Sequence, residues 1–240
     1  DAAEPLGCWA CSGRPDHVET VLTGMREQLP AATVLTYAKG CAVEGDEGLD
    51  IDSAVTAALA SDVSVLVLGE SAMMSGEAHS RAYLGLPGRQ QELLEAVVAT
   101  GKPVVVVLMA GRPLVIPWMV QHVPAILMAW HAGVRTGRAV ADILTGAVSP
   151  SGKLTASFPR TEGQIPVYYA HKSTGRPIHA RAVIQFNREH RSKYLDESDE
   201  PLYGFGYGLS YTTYAYEDLR VLTPEVRQDG TVLASVAVTN

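Results

Sequence analysis

Glu70, Glu77, His79 and Arg81 all fall within one stretch, VLVLGESAMMSGEAHSRAYLGLPGRQQELLEAV, residues 65–97. Two carboxyls beside an imidazole and a guanidinium are the kinds of group that move protons to and from a bound substrate. Glu70 directly follows an apolar run at 63–68, and Glu77 lies further out, after Gly76, whose backbone freedom suits a sharp, exposed turn. The plainer reading makes Glu70 a capping or pairing group within the fold and Glu77 a solvated carboxylate. His79 and Arg81 divide the same way: they orient a carboxyl or touch a polar substrate, or they are ordinary surface residues.

These residues need a scaffold, and the hydrophobic pattern supplies one. Residues 16–29 carry Val18, Val21, Leu22, Met25 and Leu29 at helical spacing, with Asp16 at the start. Helical patterns recur at 50–60, at 90–100 and at 137–144, the one at 90–100 closed by Gly101 and Pro103. Between them lie short apolar or β-branched runs at 33–38, 63–68, 103–109, 125–130 and 154–158, each predicting a strand. Alternation of this kind predicts an α/β fold, a mainly parallel sheet with helices on both faces in a three-layer αβα sandwich. In such sheets ligands bind beyond the carboxyl ends of strands, which is where Glu70 stands. The strand order is not readable from the pattern.

The texture changes after residue 158. Residues 159–216 have many turn residues and little periodicity, and are expected to form a long excursion across the domain surface. Residues 217–240 alternate strand-like segments around the Asp229-Gly230 turn signal, too few strands for a β domain. The chain reads as cut off where a further unit begins.

Composition excludes several functions. With 240 residues and 47% apolar content the chain has a sizeable core to bury, and its net charge of −7 without a basic cluster argues against a nucleic-acid partner. No apolar run reaches the roughly 18 residues of a membrane span, and the opening DAAEPLGCWACSG does not read as a signal peptide. Cys8 and Cys11 have C-x-x-C spacing, but no second pair and no strand-to-helix context accompany them, so the three cysteines are read as small buried apolar residues. The histidines are scattered singly, which gives no metal-ligand spacing, and neither phosphate-binding glycine motifs nor a nucleophile elbow occur. No metal and no cofactor is expected.

Taken together in their order, SGEAHSR, LPGRQQELLEAV, GKPVVVVLMAGRPL, AILMAWHAGVRTGRAVADILTGAVSPSGKLTASFPRTEGQIPVYY and PLYGFGYGLSYTTY resemble glycoside hydrolase family 3, in particular its bacterial β-glucosidases of the periplasmic type. The likeness runs from Leu6 to about Tyr216, and residues 217–240 resemble the start of a fibronectin type III-like domain. It implies a three-part enzyme in which an N-terminal (β/α)8 barrel carries an aspartate nucleophile and this sandwich carries a glutamate acid/base. The glutamate matching that role is Glu77, while Glu70 matches a structural or supporting position and Arg81 an arginine beside the acid/base loop. His79 is kept as a further substrate-contacting or supporting residue.

The substrate implied is a β-glucoside or oligosaccharide with a terminal β-D-glucosyl residue, and the location periplasmic or secreted. No segment here matches the barrel's nucleophile motif, so the chain alone is expected to be inactive, its acid/base loop mobile and Glu77 exposed. The rival reading is a non-catalytic carbohydrate-binding or assembly module on the same sandwich. Glucose against xylose, linkage preference and oligomeric state stay open, an oligomer being compatible with everything above.

Overall fold

The computed structural model describes residues 1–172, 176 and 192–240. Part of the excursion expected at 159–216, with His179 and His190, lies outside the described residues.

Helices α1 (Val21–Gln28) and α2 (Ile51–Leu59) precede strand β1 (Ser64–Gly69), and α3 (Gln90–Val98) leads into β2 (Val104–Met109). Then come α4 (Pro117–His122), β3 (Ala125–Met128) and α5 (Thr136–Leu144). The strands form a parallel sheet in the order β1-β2-β3, with Ser64 opposite Val104 and Val105 opposite Ala125.

Strand β2 is the centre, and its alternation feeds both cores. Val104, Val106 and Leu108 pack with Ala54 and Ala58 of α2 and with Leu93, Leu94 and Val97 of α3. Val107 and Met109 point the other way, against Val21 and Met25 of α1 and Val140 and Leu144 of α5. Because β2 is covered on both faces, its sequence is a continuous apolar run with no polar-apolar alternation. Leu94, Leu108, Leu114 and Met119 are fully buried, each contributing about 1.5–3 kcal/mol of transfer free energy. On the second face, α1 and α5 meet through Gly24 and Gly137, where an added Cβ on either would overlap the other segment's backbone.

Local chemistry sets the helix starts. Asp50 accepts from Ser53 N (3.1 Å) and Thr20 from Thr23 N (3.2 Å), each capping the first turn of its helix. The helix expected from residue 16 therefore begins later. Pro15–His17 forms a separate 3-10 turn, and Asp16 pairs with Arg14.

Two expected strands are not strands. Residues 33–38 make no ladder with β1, and Val34, Leu35 and Tyr37 are exposed. Residues 154–158 do not join the parallel sheet. They pair instead with the returning excursion, Leu154 N donating to Tyr207 O and Phe158 N to Tyr203 O, both at 2.8 Å. Helix α4, at six residues too short to show a period, was not anticipated; Pro117 at its start supplies the preset φ of a first helical turn. Strands β4 (Ala215–Val221) and β5 (Ala234–Thr239) form an antiparallel pair in which every residue is exposed.

Cysteine burial is uneven. Cys8 and Cys41 are partly buried but Cys11 is exposed, contrary to the expectation that all are interior. Burial pushes the Cys41 thiol up, against a smaller opposing effect of the Lys39 charge. Since the thiolate is the reactive form, iodoacetamide at pH 8 should alkylate Cys11 well before Cys41. Mass spectrometry showing Cys41 labelled first would contradict the burial described.

Candidate active site

The site begins where β1 stops. Gly69 has φ +143°, and an added Cβ there would overlap the Met109 carbonyl oxygen of β2, so only glycine lets the two strand ends approach this closely. Gln90, buried at the start of α3, fixes that glycine from both sides: its Oε1 accepts from Gly69 N (2.7 Å) and its Nε2 donates to Gly69 O (2.8 Å) and Val43 O (3.1 Å). Glu70 N then donates to Met109 O (2.8 Å), which delivers the Glu70 side chain at the carboxyl edge of the sheet.

That carboxylate is wholly buried and held by two guanidiniums. Arg81 Nη1 donates to Oε1 at 2.6 Å, and Arg112 Nε lies 3.2 Å from Oε1 and 3.3 Å from Oε2. Both arginines reach further. Arg81 Nη2 donates to Gly85 O (3.1 Å), and Arg112 Nη2 donates to His79 O (2.7 Å) and to Met74 O. One buried charge thus organises two cations, and the cations organise backbone carbonyls of the following loop.

The loop spans residues 71–89 and has further attachments. Ser71 Oγ donates to Glu44 Oε1 (2.9 Å), Ala72 N to the Glu4 carboxylate, and Leu84 N to Glu162 Oε1 (3.0 Å). Between the two carbonyls held by Arg112, residues 75–78 form a small hairpin, buried at Ser75 and exposed from Gly76 to Ala78, closed by His79 N donating to Gly76 O (3.2 Å). Gly76 and Ala78 both have positive φ, +117° and +64°. Gly76 lies against Cys8 Sγ and the Trp9 indole with no room for a Cβ, and Gly111 leaves the space that the Ser75 hydroxyl fills.

Glu77 stands at the apex of this hairpin. It is exposed and makes no hydrogen bond or ion pair among the described residues. Trp9, Met73 and Tyr83, near it in the fold or the loop, are also exposed, at 68%, 63% and 83%. The four residues singled out in the sequence therefore separate. Glu70 and Arg81 form one ion pair; Glu77 faces outward alone; the His79 ring is half-buried with Nδ1 3.4 Å from Ser75 O, and contributes its carbonyl to Arg112. Arg112 was missed, although a signal was present: it lies three residues beyond the end of β2, at the same edge of the sheet as Glu70, which directly follows β1.

Chemically, the arrangement presents one free carboxyl to whatever lies opposite and keeps the other out of reach. Residues 1–211 match the Glycosyl hydrolase family 3 C-terminal domain. The chain belongs to glycoside hydrolase family 3.

It is 43% identical over 255 residues to a periplasmic β-glucosidase of Salmonella typhimurium, covering 98% of this chain and 33% of that protein. A β-xylosidase of Formosa agariphila is 41% identical over 95% of the chain and 30% of its own length. Among solved structures, a β-glucosidase from Listeria innocua superposes with a TM-score of 0.80 at 36% identity, covering 98% of this chain and 32% of that one. The same Listeria enzyme, as a mutant in complex with laminaribiose, gives a TM-score of 0.79 at 39% identity over 91% of this chain and 29% of that one. The chain thus spans about a third of the length of these relatives.

The two glutamates should differ sharply in stability. Removing one partner of a buried ion pair typically costs about 3–5 kcal/mol, so Glu70→Ala is expected to destabilise the chain by that order. Glu77→Ala, at an exposed and unpartnered position, should change stability by less than about 0.5 kcal/mol. Urea unfolding followed by circular dichroism measures both; equal effects would contradict the assignment of burial.

Proposed function

We propose that this domain supplies the acid/base carboxyl, Glu77, of a retaining β-glycoside hydrolase acting on β-glucosides, with the nucleophile on a (β/α)8 barrel packed against the sheet's carboxyl edge. The observation that carries the reading is the exposed, unpartnered Glu77 carboxyl at the apex of a hairpin whose base is fastened by buried ionic contacts. Family membership supports it, and the relatives named β-glucosidase support the substrate class. A relative named β-xylosidase leaves xylosides within that class.

Cleavage through an oxocarbenium-like state needs a nucleophilic carboxylate on one face of the sugar and a proton donor at the leaving oxygen, roughly 5–5.5 Å apart in retaining enzymes. Glu77 protonates the leaving oxygen as the glycosyl-enzyme forms, then takes a proton from the water that hydrolyses it. Arg81, His79 and Glu70 act as supports, not as substrate contacts. The name of the Salmonella relative supports a periplasmic or exported location. Among the described residues, no helix is long and apolar enough to cross a membrane. The exposed β4-β5 pair is read as the first strands of a fibronectin type III-like β-sandwich.

A carbohydrate-binding module is the alternative, favoured by the exposed Tyr169 and Phe205 rings, whose centroids are 5.1 Å apart. The two readings separate cleanly. For the enzyme, the chain alone should hydrolyse no aryl β-glucoside and gain turnover when joined to a family 3 barrel. In the joined protein Glu77→Ala should lower the glycosylation rate about 10²- to 10⁴-fold for substrates with poor leaving groups. Activated aryl glycosides should lose less, and azide should accelerate breakdown of the covalent intermediate. Sugar affinity in the isolated chain, unchanged by Glu77→Gln and without turnover in the joined protein, would favour the binding module. Leaving-group dependence in Glu70→Ala but not in Glu77→Ala would show that the wrong carboxylate is named.

A further inference from the structure

We propose that Arg112 is the positioning residue for the acid/base: its guanidinium closes the hairpin that carries Glu77 and ties it to the buried Glu70. This rests on the reading of Glu77 as acid/base and adds a residue to it. A single nitrogen, Arg112 Nη2, donates to both Met74 O and His79 O. Those carbonyls stand on either side of residues 75–78, so the bonds span only the segment whose apex is Glu77. The same guanidinium meets both oxygens of Glu70, whose side chain is completely buried and held again by Arg81.

Arg112 lies outside the loop, just beyond β2, and Glu70 just beyond β1. The hairpin is therefore referenced to the ends of two paired strands, not to its own flexible flanks. Arginine suits this junction because its planar fork serves a carboxylate along one edge and carbonyls along another at once, which a lysine ammonium, as a point donor on a flexible stem, does not. The consequence is catalytic because misplacing a reacting group by about 1 Å can cost on the order of 10²-fold in rate. Releasing Arg112 frees both ends of the hairpin together, so the displacement falls on Glu77.

A fold-supporting arginine and a positioning arginine differ in what their loss does to different substrates. The test uses this domain joined to a family 3 barrel, with Arg112→Ala and Arg112→Lys made alone and in a Glu77→Ala background. The probes are an alkyl β-glucoside, with a poor leaving group, and a dinitrophenyl β-glucoside, which needs no protonation. Arg112→Ala is expected to lower kcat/KM, which reports the glycosylation step, about 10²-fold on the alkyl glucoside. On the dinitrophenyl glucoside the loss should be less than about 10-fold, the proton contributing little there. Arg112→Lys should fall between wild type and Arg112→Ala.

In the Glu77→Ala background neither substitution should lower the alkyl glucoside rate further, because the group being positioned is gone. The ratio of the two rates does not depend on how much protein is folded, so partial unfolding leaves the reading intact. Equal losses on both substrates, or losses that multiply with Glu77→Ala, would overturn the role of Arg112 while leaving Glu77 in place. Should Glu77→Ala itself show no leaving-group dependence, the acid/base reading falls, and the positioning role with it.

Discussion

A single carboxylate without access to water organises the carboxyl edge of this domain. Glu70 has lost its hydration and, among the described residues, is compensated by Arg81 and Arg112. A buried charge left alone would be far too costly, so the two cations have to stay, and each is useful beyond the pair. Their remaining donors reach Gly85, Met74 and His79, which converts a desolvation problem into a set of backbone anchors. The long loop after β1 is in consequence attached near both ends and on either side of its apex.

That cluster in turn depends on how closely β1 and β2 end together. Gly69 lets the Met109 carbonyl approach, Gln90 secures the glycine from the start of α3, and Gly111 makes room for Ser75 just before Arg112. Each of these residues looks minor alone. Together they turn the core between the sheet and α2 and α3 into a fixed base for the hairpin. A rigid element supporting a short irregular projection is the economical way to place one side chain accurately at the edge of a domain.

Much of this scaffold was legible in the sequence, because helices α2, α3 and α5 and the three strands are apolar runs bounded by strong stop and start signals. What failed did so for physical reasons. Residues 33–38 are β-branched, yet β-propensity describes fit to a half-buried surface, and here Val34 and Tyr37 are exposed. Residues 154–158 pair, but with residues 202–207 from the far side of the excursion, and such non-local pairing leaves no mark on local periodicity. The place of Glu70 after a strand left a pairing group and a functional one both open, and only the family resemblance read it as structural or supporting; in the structure it is buried between two guanidiniums. Arg112 stands three residues beyond β2 at the same sheet edge and was not singled out, because its partner Glu70 is 42 residues away in sequence and local pattern does not show such pairing. The loop, expected to move freely, carries more anchors than a mobile connection would, while the expected exposure of Glu77 agrees with its place at the apex.

The central claim is that the hairpin bearing Glu77 is held rigid by contacts within this chain. Backbone ¹⁵N relaxation of the 240-residue protein tests it most directly, by comparing the amides of residues 74–79 with those of β2. Order parameters near about 0.85 across the hairpin, matching the sheet, are the expected result. Values below about 0.6 at Glu77 and Ala78, with β2 remaining rigid, would show that the clamp from Glu70 and Arg112 does not fix Glu77.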